Sequence, residues 1–302
     1  MTTPRDRERS ASAADRFASA RTCGTMTLPS GKRLLFEGRS LLMGIVNVTP
    51  DSFSDGGRFL DPEAAVAHGR ALVAQGADLL DIGGESTRPG GEVVDEAEEK
   101  RRVLPVVERL AREVAVPLSL DTYKSAVAEA GLAAGADMLN DVTALRADPE
   151  IARTAARRGA AVILMHATGL PGGLHDPAVR GAPLPAVVSG LREAIERAER
   201  AGVDPGRILI DPGIGFGKTL AENLALLRGL PELKVLGKPV VVGPSMKSFI
   251  ARALDETDMS ARAQGTAAAV AIAVFMGADV VRVHDVSTMR RVARVAHAIR
   301  AA

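Results

Sequence analysis

The sequence predicts a parallel α/β fold, read first as a (β/α)₈ barrel behind a short N-terminal β-hairpin, with an open doubly wound sheet as the alternative. Two observations carry this reading. A loose repeat recurs at Gly76-Ala77-Asp78, Gly135-Ala136-Asp137 and Gly277-Ala278-Asp279, each time after a segment of helical period and before a short apolar run. A glycine just past a helix is the usual left-handed cap, and a short apolar run behind it reads as a strand buried on both faces. Such runs number about eight, each followed by a plausible helix.

In chain order, Met26 to Leu28 and Arg33 to Phe36 flank Pro29-Ser30-Gly31-Lys32 and predict the hairpin. Strands follow at Leu41 to Asn47, Leu79 to Ile82, Leu118 to Asp121, Met138 to Asn140, Ala161 to His166, Ile208 to Asp211, Pro239 to Val242 and Val280 to His284. Asp61-Pro62-Glu63 and Asp148-Pro149-Glu150 predict helix starts, with an N-cap followed by proline at the first helical position. The clearest helix begins at Pro183, since Leu184, Val187, Val188, Leu191, Ile195 and Ala198 recur on one face. Residues 1–22 lack apolar periodicity and are expected to be a disordered tail, leaving 23–302 as a single domain. The tail has no apolar core of a secretory signal, and Asp6, Glu8 and Asp15 count against a transit peptide.

Composition excludes several classes of function. The formal net charge is +1 and aromatics are 3%, so neither a field for a polyanion nor a base-stacking platform is expected. No apolar run approaches the roughly 20 residues that span a bilayer. One cysteine, Cys23, allows no internal disulfide, which fits a cytoplasmic protein. The partners expected are therefore small molecules, with no nucleic acid and no membrane.

The C-terminal ends of the strands carry the chemistry. In order they offer Asn47, Asp81, Asp121, Asn140 with Asp141, His166, Asp211, Ser245 with Lys247, and Arg282 with His284. In a closed barrel these converge on one mouth. The strand period of two puts Arg282 and His284 on one face, with Val281 and Val283 on the other. Taken singly, an Asp or Asn after a strand is commonly a turn former or helix cap; the recurrence at nearly every strand end is harder to dismiss. Asp81, before Gly83-Gly84, and Asp141 keep the turn-forming reading, and His166 stays open between core packing and binding.

Three loops add signal. Asn47 to Gly57 and Gly83 to Gly91 are long and bracketed by glycines, as in loops that close over ligands. The stretch Asp211-Pro212-Gly213-Ile214-Gly215-Phe216-Gly217-Lys218-Thr219 nearly spells a nucleotide P-loop but has Pro212 where that pattern needs glycine. Its glycines suit a flat ligand lying close to the backbone, with Phe216 as a packing surface.

Together, Gly44 to Gly57, Asp81 to Gly91, Asp121 to Lys124, Asn140-Asp141-Val142, Asp211 to Lys218, Ser245 to Ile250 and Arg282 to Val286 resemble the ordered motif set of the dihydropteroate synthases. The resemblance runs from about residue 41 to the C-terminus. It implies a (β/α)₈ barrel, a homodimer, a Mg²⁺ requirement and a transferase of folate biosynthesis. The reaction it implies condenses 6-hydroxymethyl-7,8-dihydropterin diphosphate with p-aminobenzoate.

Residue by residue, the resemblance places Asp121, Asn140, Asp211, Gly215, Phe216 and Lys247 at the pterin. It places Asn47, Arg282 and His284 at the diphosphate, with Asn47 also near the metal. Phe53, Thr87, Pro89 and Ser245 fall at the p-aminobenzoate, and Thr87, Arg88, Lys247 and Arg282 are the implied catalytic set. Carboxylates accept from the amino and ring N–H groups of a pterin, whereas its carbonyl and ring nitrogens need donors such as Asn or Lys. Met246 stands where the family usually has arginine, and 167–177 matches the family pattern poorly. A methyltetrahydrofolate-corrinoid methyltransferase and a non-catalytic pterin-binding paralogue are the alternatives. Arg282 to Asp285 and Thr87-Arg88-Pro89 favour the synthase.

Overall fold

The computed structural model describes residues 24–49, 61–86, 91, 93–169, 183–256 and 258–302. The expected tail and the loop residues Phe53, Thr87, Arg88 and Pro89 lie outside them, as does most of 167–177.

The hairpin forms from β1 (Thr25–Thr27) and β2 (Arg33–Leu35), paired antiparallel. Eight parallel strands follow: β3 (Leu41–Asn47), β4 (Leu79–Gly83), β5 (Leu118–Asp121), β6 (Met138–Asp141), β7 (Ala161–Met165), β8 (Ile208–Asp211), β9 (Val241–Val242) and β10 (Val280–Val283). They neighbour one another in chain order from β3 to β8, and β10 lies between β3 and β9. A parallel bridge from Ile210 to Val240, with the Ile210 N–H donating to the Pro239 carbonyl at 3.0 Å, joins β8 back to the β9 side. The sheet thus closes, and the barrel reading holds over the open sheet.

Around it lie α1 (Pro62–Gln75), α2 (Glu96–Glu113), α3 (Ser125–Ala133), α4 (Glu150–Arg158), α5 (Leu184–Arg200), α6 (Leu220–Arg228), α7 (Leu230–Leu233), α8 (Ser248–Leu254), α9 (Met259–Phe275) and α10 (Val286–Ala301). Asp61 caps α1 by accepting from the Glu63 N–H, with Pro62 in the first turn as expected. At α4 the start falls one residue later than expected. Pro149 is itself the cap residue, and Asp148 accepts from the backbone of both Ser125 and Glu150.

The repeat has a structural purpose at the lower end of the barrel. Gly76, Gly135 and Gly277 take φ of 101°, 112° and 95°, which end the helices where a side chain would be strained. The aspartate two residues on then secures a neighbouring strand. Asp78 accepts from Leu42 N–H at 2.8 Å, Asp137 from Leu118 at 3.1 Å and Asp279 from Val240 at 2.6 Å. Each unit therefore stops its helix and satisfies a buried donor at the start of a strand.

Alternation along the strands divides the apolar residues between two cores. Leu42, Val46, Leu80, Ile82, Leu120, Val162, Ile210 and Val281 pack against the helices. Leu41, Met43, Leu79, Met138, Ile163, Leu209, Val241 and Val280 instead cluster with Met26, Leu28, Leu34 and Phe36 of the hairpin segment. The hairpin therefore stoppers the lower end and leaves the other open for chemistry.

Candidate active site at the barrel mouth

Inward positions change character toward the C-terminal ends of the strands. Below Asp121 on β5 lies Ser119, below Asn140 on β6 lies Met138, and below Arg282 on β10 lies Val280, each pair two residues apart on one face. Arg282 donates from Nε to Asp81 Oδ2 at 2.6 Å and from Nη2 to Asp121 Oδ2 at 2.9 Å. Asp81 Oδ2 also accepts from Asn140 Nδ2 at 3.0 Å. Three strands, β4, β5 and β6, are thereby tied to β10 across the barrel.

Asp81 was expected to form a turn, and the structure corrects this. It is fully buried, and β4 continues to Gly83, so Leu79, Asp81 and Gly83 share the inward face. The period of two, applied to β4 as it was to β10, was the signal available for it. Asp141 does form a turn, accepting from the Thr143 N–H and hydroxyl at 2.7 Å each and from the Leu145 N–H at 2.8 Å. His166 resolves toward packing: a Cβ built on Gly190 of α5 would stand 2.9 Å from its ring, so the ring faces that helix. Burial, with Lys218 and Arg146 nearby, lowers its pKa to about 4, so it is neutral there.

The glycine loop after β8 forms the opposite wall. Lys218, also unassigned at the outset, is buried and donates to the carbonyls of His166, Gly213 and Phe216 at 3.0, 2.8 and 3.1 Å. It thus gathers the turn from inside. Asn223 of α6 accepts from the Gly215 N–H at 2.6 Å and donates to the Lys218 and Thr219 carbonyls. Gly215 has φ +84°, and a Cβ there would meet Lys247 Cδ at 2.9 Å, so only glycine lets the lysine pass. Lys247 Nζ sits 3.6 Å from the centroid of the Phe216 ring, a cation–π contact.

Charges at the mouth are held away from their ordinary states. Burial raises the Asp211 pKa to about 6, against the Gly213 N–H and the Lys247, Lys218 and Arg282 charges, which lower it. Burial lowers Lys247 to about 7, aided by Arg282 and opposed by Asp211 and Asp121. Asp121 is pushed up by desolvation and by Asp81, with Arg282 opposing. For Arg282 desolvation lowers the pKa, but Asp81 and Asp121 outweigh it and the guanidinium stays charged. Groups so poised in a cleft mark a functional site.

Ser245 is buried, and its Oγ lies 2.9 Å from His284 Nδ1 and accepts from the His284 N–H at 3.3 Å. Met246 has φ +59° and its N–H donates to Thr266 Oγ1 at 3.0 Å. Lys247 is the extended cap residue of α8, so the three motif residues share no helical turn. Asn47 ends β3 at the rim, half-buried. Among the described residues no three His, Cys, Asp or Glu side chains cluster as metal ligands. The donor at the rim is a single amide oxygen, which suits a hard cation whose other ligands are water and substrate oxygens.

The mouth of the closed eight-stranded barrel thus carries carboxylates, an amide and a lysine, with the lysine set over an aromatic ring. The chain belongs to the family of pterin binding enzymes, which it matches over residues 43–284. It is 45% identical to the dihydropteroate synthase of Synechocystis sp. over 273 residues, 90% of this chain and 94% of that one. A solved dihydropteroate synthase from Xanthomonas albilineans, bound to 4-aminobenzoic acid, superposes with a TM-score of 0.82 at 46% identity, over 92% of this chain and all of that one. The same organism's enzyme in complex with 7,8-dihydropteroate gives 0.80 at 44% identity, over the same shares. No described helix is long and apolar enough to cross a membrane.

Proposed function

We infer that this chain is a dihydropteroate synthase, a transferase that joins 6-hydroxymethyl-7,8-dihydropterin diphosphate to p-aminobenzoate and releases diphosphate. The observation that carries the reading is Lys247, set over the Phe216 ring and within electrostatic reach of Asp211 and Asp121, with Asn140 beside Asp81, in a chain of this family. Without ligand, Asp211 and Lys247 are both penalised by burial. A pterin relieves both, since its amino and ring N–H groups donate to the carboxylate and its carbonyl and ring nitrogens accept from the lysine. Gly215 keeps the floor low, and Phe216 offers a face for the ring.

The reaction breaks the bond between the pterin methylene carbon and the diphosphate oxygen. A carbon–nitrogen bond to the aniline replaces it, and that nitrogen loses a proton. The pterin ring spreads the positive charge developing on the methylene, so the site needs no strong base and acts by positioning and by stabilising the departing diphosphate. Arg282 and His284, neighbours on the inward face of the β10 end, are suited to the diphosphate. Mg²⁺ held by Asn47 and the diphosphate would neutralise the leaving group. On the strength of the family resemblance, Phe53, Thr87, Pro89 and Ser245, the last hydrogen-bonded to His284, form the p-aminobenzoate side, and Arg88 joins Thr87, Lys247 and Arg282 in the catalytic set. Val295 and Ile299, exposed one turn apart on α10, support a homodimer.

Incubating the purified chain with the pterin diphosphate, p-aminobenzoate and Mg²⁺ tests the reading. Formation of 7,8-dihydropteroate is expected. A chain that binds the pterin but forms no product would be a non-catalytic paralogue.

A further inference from the structure

Asp81 lies beneath the ring of ligand-facing residues, where it accepts from Arg282 Nε at 2.6 Å and Asn140 Nδ2 at 3.0 Å. A carboxylate can only accept, so chemistry decides which end of the Asn140 amide faces it. The nitrogen turns to Asp81, and the planar amide directs Oδ1 away.

We propose that Asp81 is a positioning and specificity-determining residue which, through Asn140, makes that side of the pocket an acceptor and so selects a heterocycle edge carrying N–H groups. The proposal rests on the pterin reading above. Residue types alone allow Asn140 to serve as a donor; its contact with Asp81 reverses that role. Asp121, Asn140 and Asp211, from β5, β6 and β8, then all present oxygen to the ligand, and Lys247 supplies the donor on the facing side. A heterocycle with acceptors along the first edge would set lone pairs against oxygens and leave buried groups unpaired, which is how hydrogen-bonding sites reject close analogues. Arg282 holds Asp81 from the other side and limits its rotation.

Asp81→Asn is nearly isosteric, keeps an acceptor for Arg282 Nε and can donate to Asn140, which frees the amide to turn. Calorimetry with 6-hydroxymethyl-7,8-dihydropterin should show at least tenfold weaker binding. The KM for p-aminobenzoate at saturating pterin diphosphate should stay within twofold. Because Asp81 acts through Asn140, the double variant Asp81→Asn/Asn140→Ala should bind within twofold of Asn140→Ala alone. A second measurement needs no variant at Asp81. Among pterins methylated at one edge nitrogen at a time, at least one should lose tenfold or more against the wild type and match its parent against Asn140→Ala.

Pterin affinity within twofold of wild type in Asp81→Asn would overturn the proposal. So would losses that multiply in the double variant, or methylation penalties indifferent to Asn140. Wild-type protein that binds no pterin would instead sink the functional reading and take the proposal with it. Binding by the wild type with unchanged variants removes only the role of Asp81.

Discussion

The two ends of the barrel are built on the same inward face of the same strands, yet they are opposite in character. At the lower end Leu41, Leu79, Met138, Leu209 and Val280 cluster with the hairpin residues Leu34 and Phe36. At the mouth, two residues further along four of those five strands, the inward positions are Asp81, Asn140, Asp211 and Arg282, while β3 keeps the apolar Met43. One end spends its burial on stability. The other buries charges that water would hold more cheaply, and does so where a ligand can supply the missing partners. The difference teaches that depth along a strand sorts residues by purpose.

The largest effect should come from Arg282→Ala. It leaves Asp81 and Asp121 facing one another with their shared cation gone, and breaking a buried pair costs about 3–5 kcal/mol. Urea denaturation should show that loss. Calorimetry should show weaker binding both of the pterin diphosphate and of the dephosphorylated pterin, because Asp121 loses its anchor. A guanidinium reserved for the diphosphate would spare the dephosphorylated ligand.

Leu34→Ala tests the lower end. Leu34 is almost wholly buried in the stopper, and such truncations cost about 2–5 kcal/mol. The melting temperature should fall while pterin affinity of the folded protein is unchanged. A loss of affinity without a loss of stability would mean that the two ends are not separate in purpose.

Asp211→Asn should act on stability in the reverse direction. Folding raises the Asp211 pKa from 3.8 to about 6, so its contribution is fully present below about pH 4 and lost as pH rises through about 6. The ligand-free variant should match wild type near pH 4 and be more stable near pH 7, by on the order of 2 to 3 kcal/mol. Lys247 has the opposite sense. Its folded pKa of about 7 lies below 10.5, so its contribution is present above 10.5 and lost as pH falls through about 7. Denaturation of wild type and variant across pH 4–10 distinguishes these, and a variant less stable than wild type at pH 7 would count against a strained carboxylate.

Met246→Arg should have the smallest effect. Met246 occupies a left-handed turn, with its N–H held by Thr266. Steady-state kinetics should show the KM for p-aminobenzoate lowered by at most tenfold, equivalent to about 1.4 kcal/mol, with the pterin KM unchanged. A shift in the pterin KM would place residue 246 closer to the ring than this turn puts it.

Most of the fold could be read from the residues because parallel strands are buried on both faces and stand out as apolar runs. The eight runs expected from Leu41 to His284 coincide with β3–β10 to within two residues at either end. The glycine caps of the repeat were visible too, but not the strand donors that their aspartates satisfy, since those lie 19 to 39 residues away. Barrel closure was not decidable from alternation alone, as it depends on the distant pair Ile210 and Val240. Among the candidate site residues, Asp121, Asn140, Asp211 and Arg282 were legible by position at strand ends, and Lys247 by its place before the helix that follows β9. Asp81 was misread because the glycines after it suggested a turn, and Lys218 was left without a role because its three partners are all backbone carbonyls, whose positions the residue types do not reveal.

The most direct measurement of the mouth as the pterin site is calorimetric titration of wild type and Lys247→Ala with 6-hydroxymethyl-7,8-dihydropterin, alongside their thermal melts. Removing a charge-assisted hydrogen bond of about 1.5 to 3 kcal/mol should weaken binding by roughly ten- to a hundredfold. The melting temperature should not fall, because a buried lysine held near neutral pKa adds little to folding at pH 7. Near-native affinity in Lys247→Ala would contradict the assignment and move the pterin away from the Phe216 face.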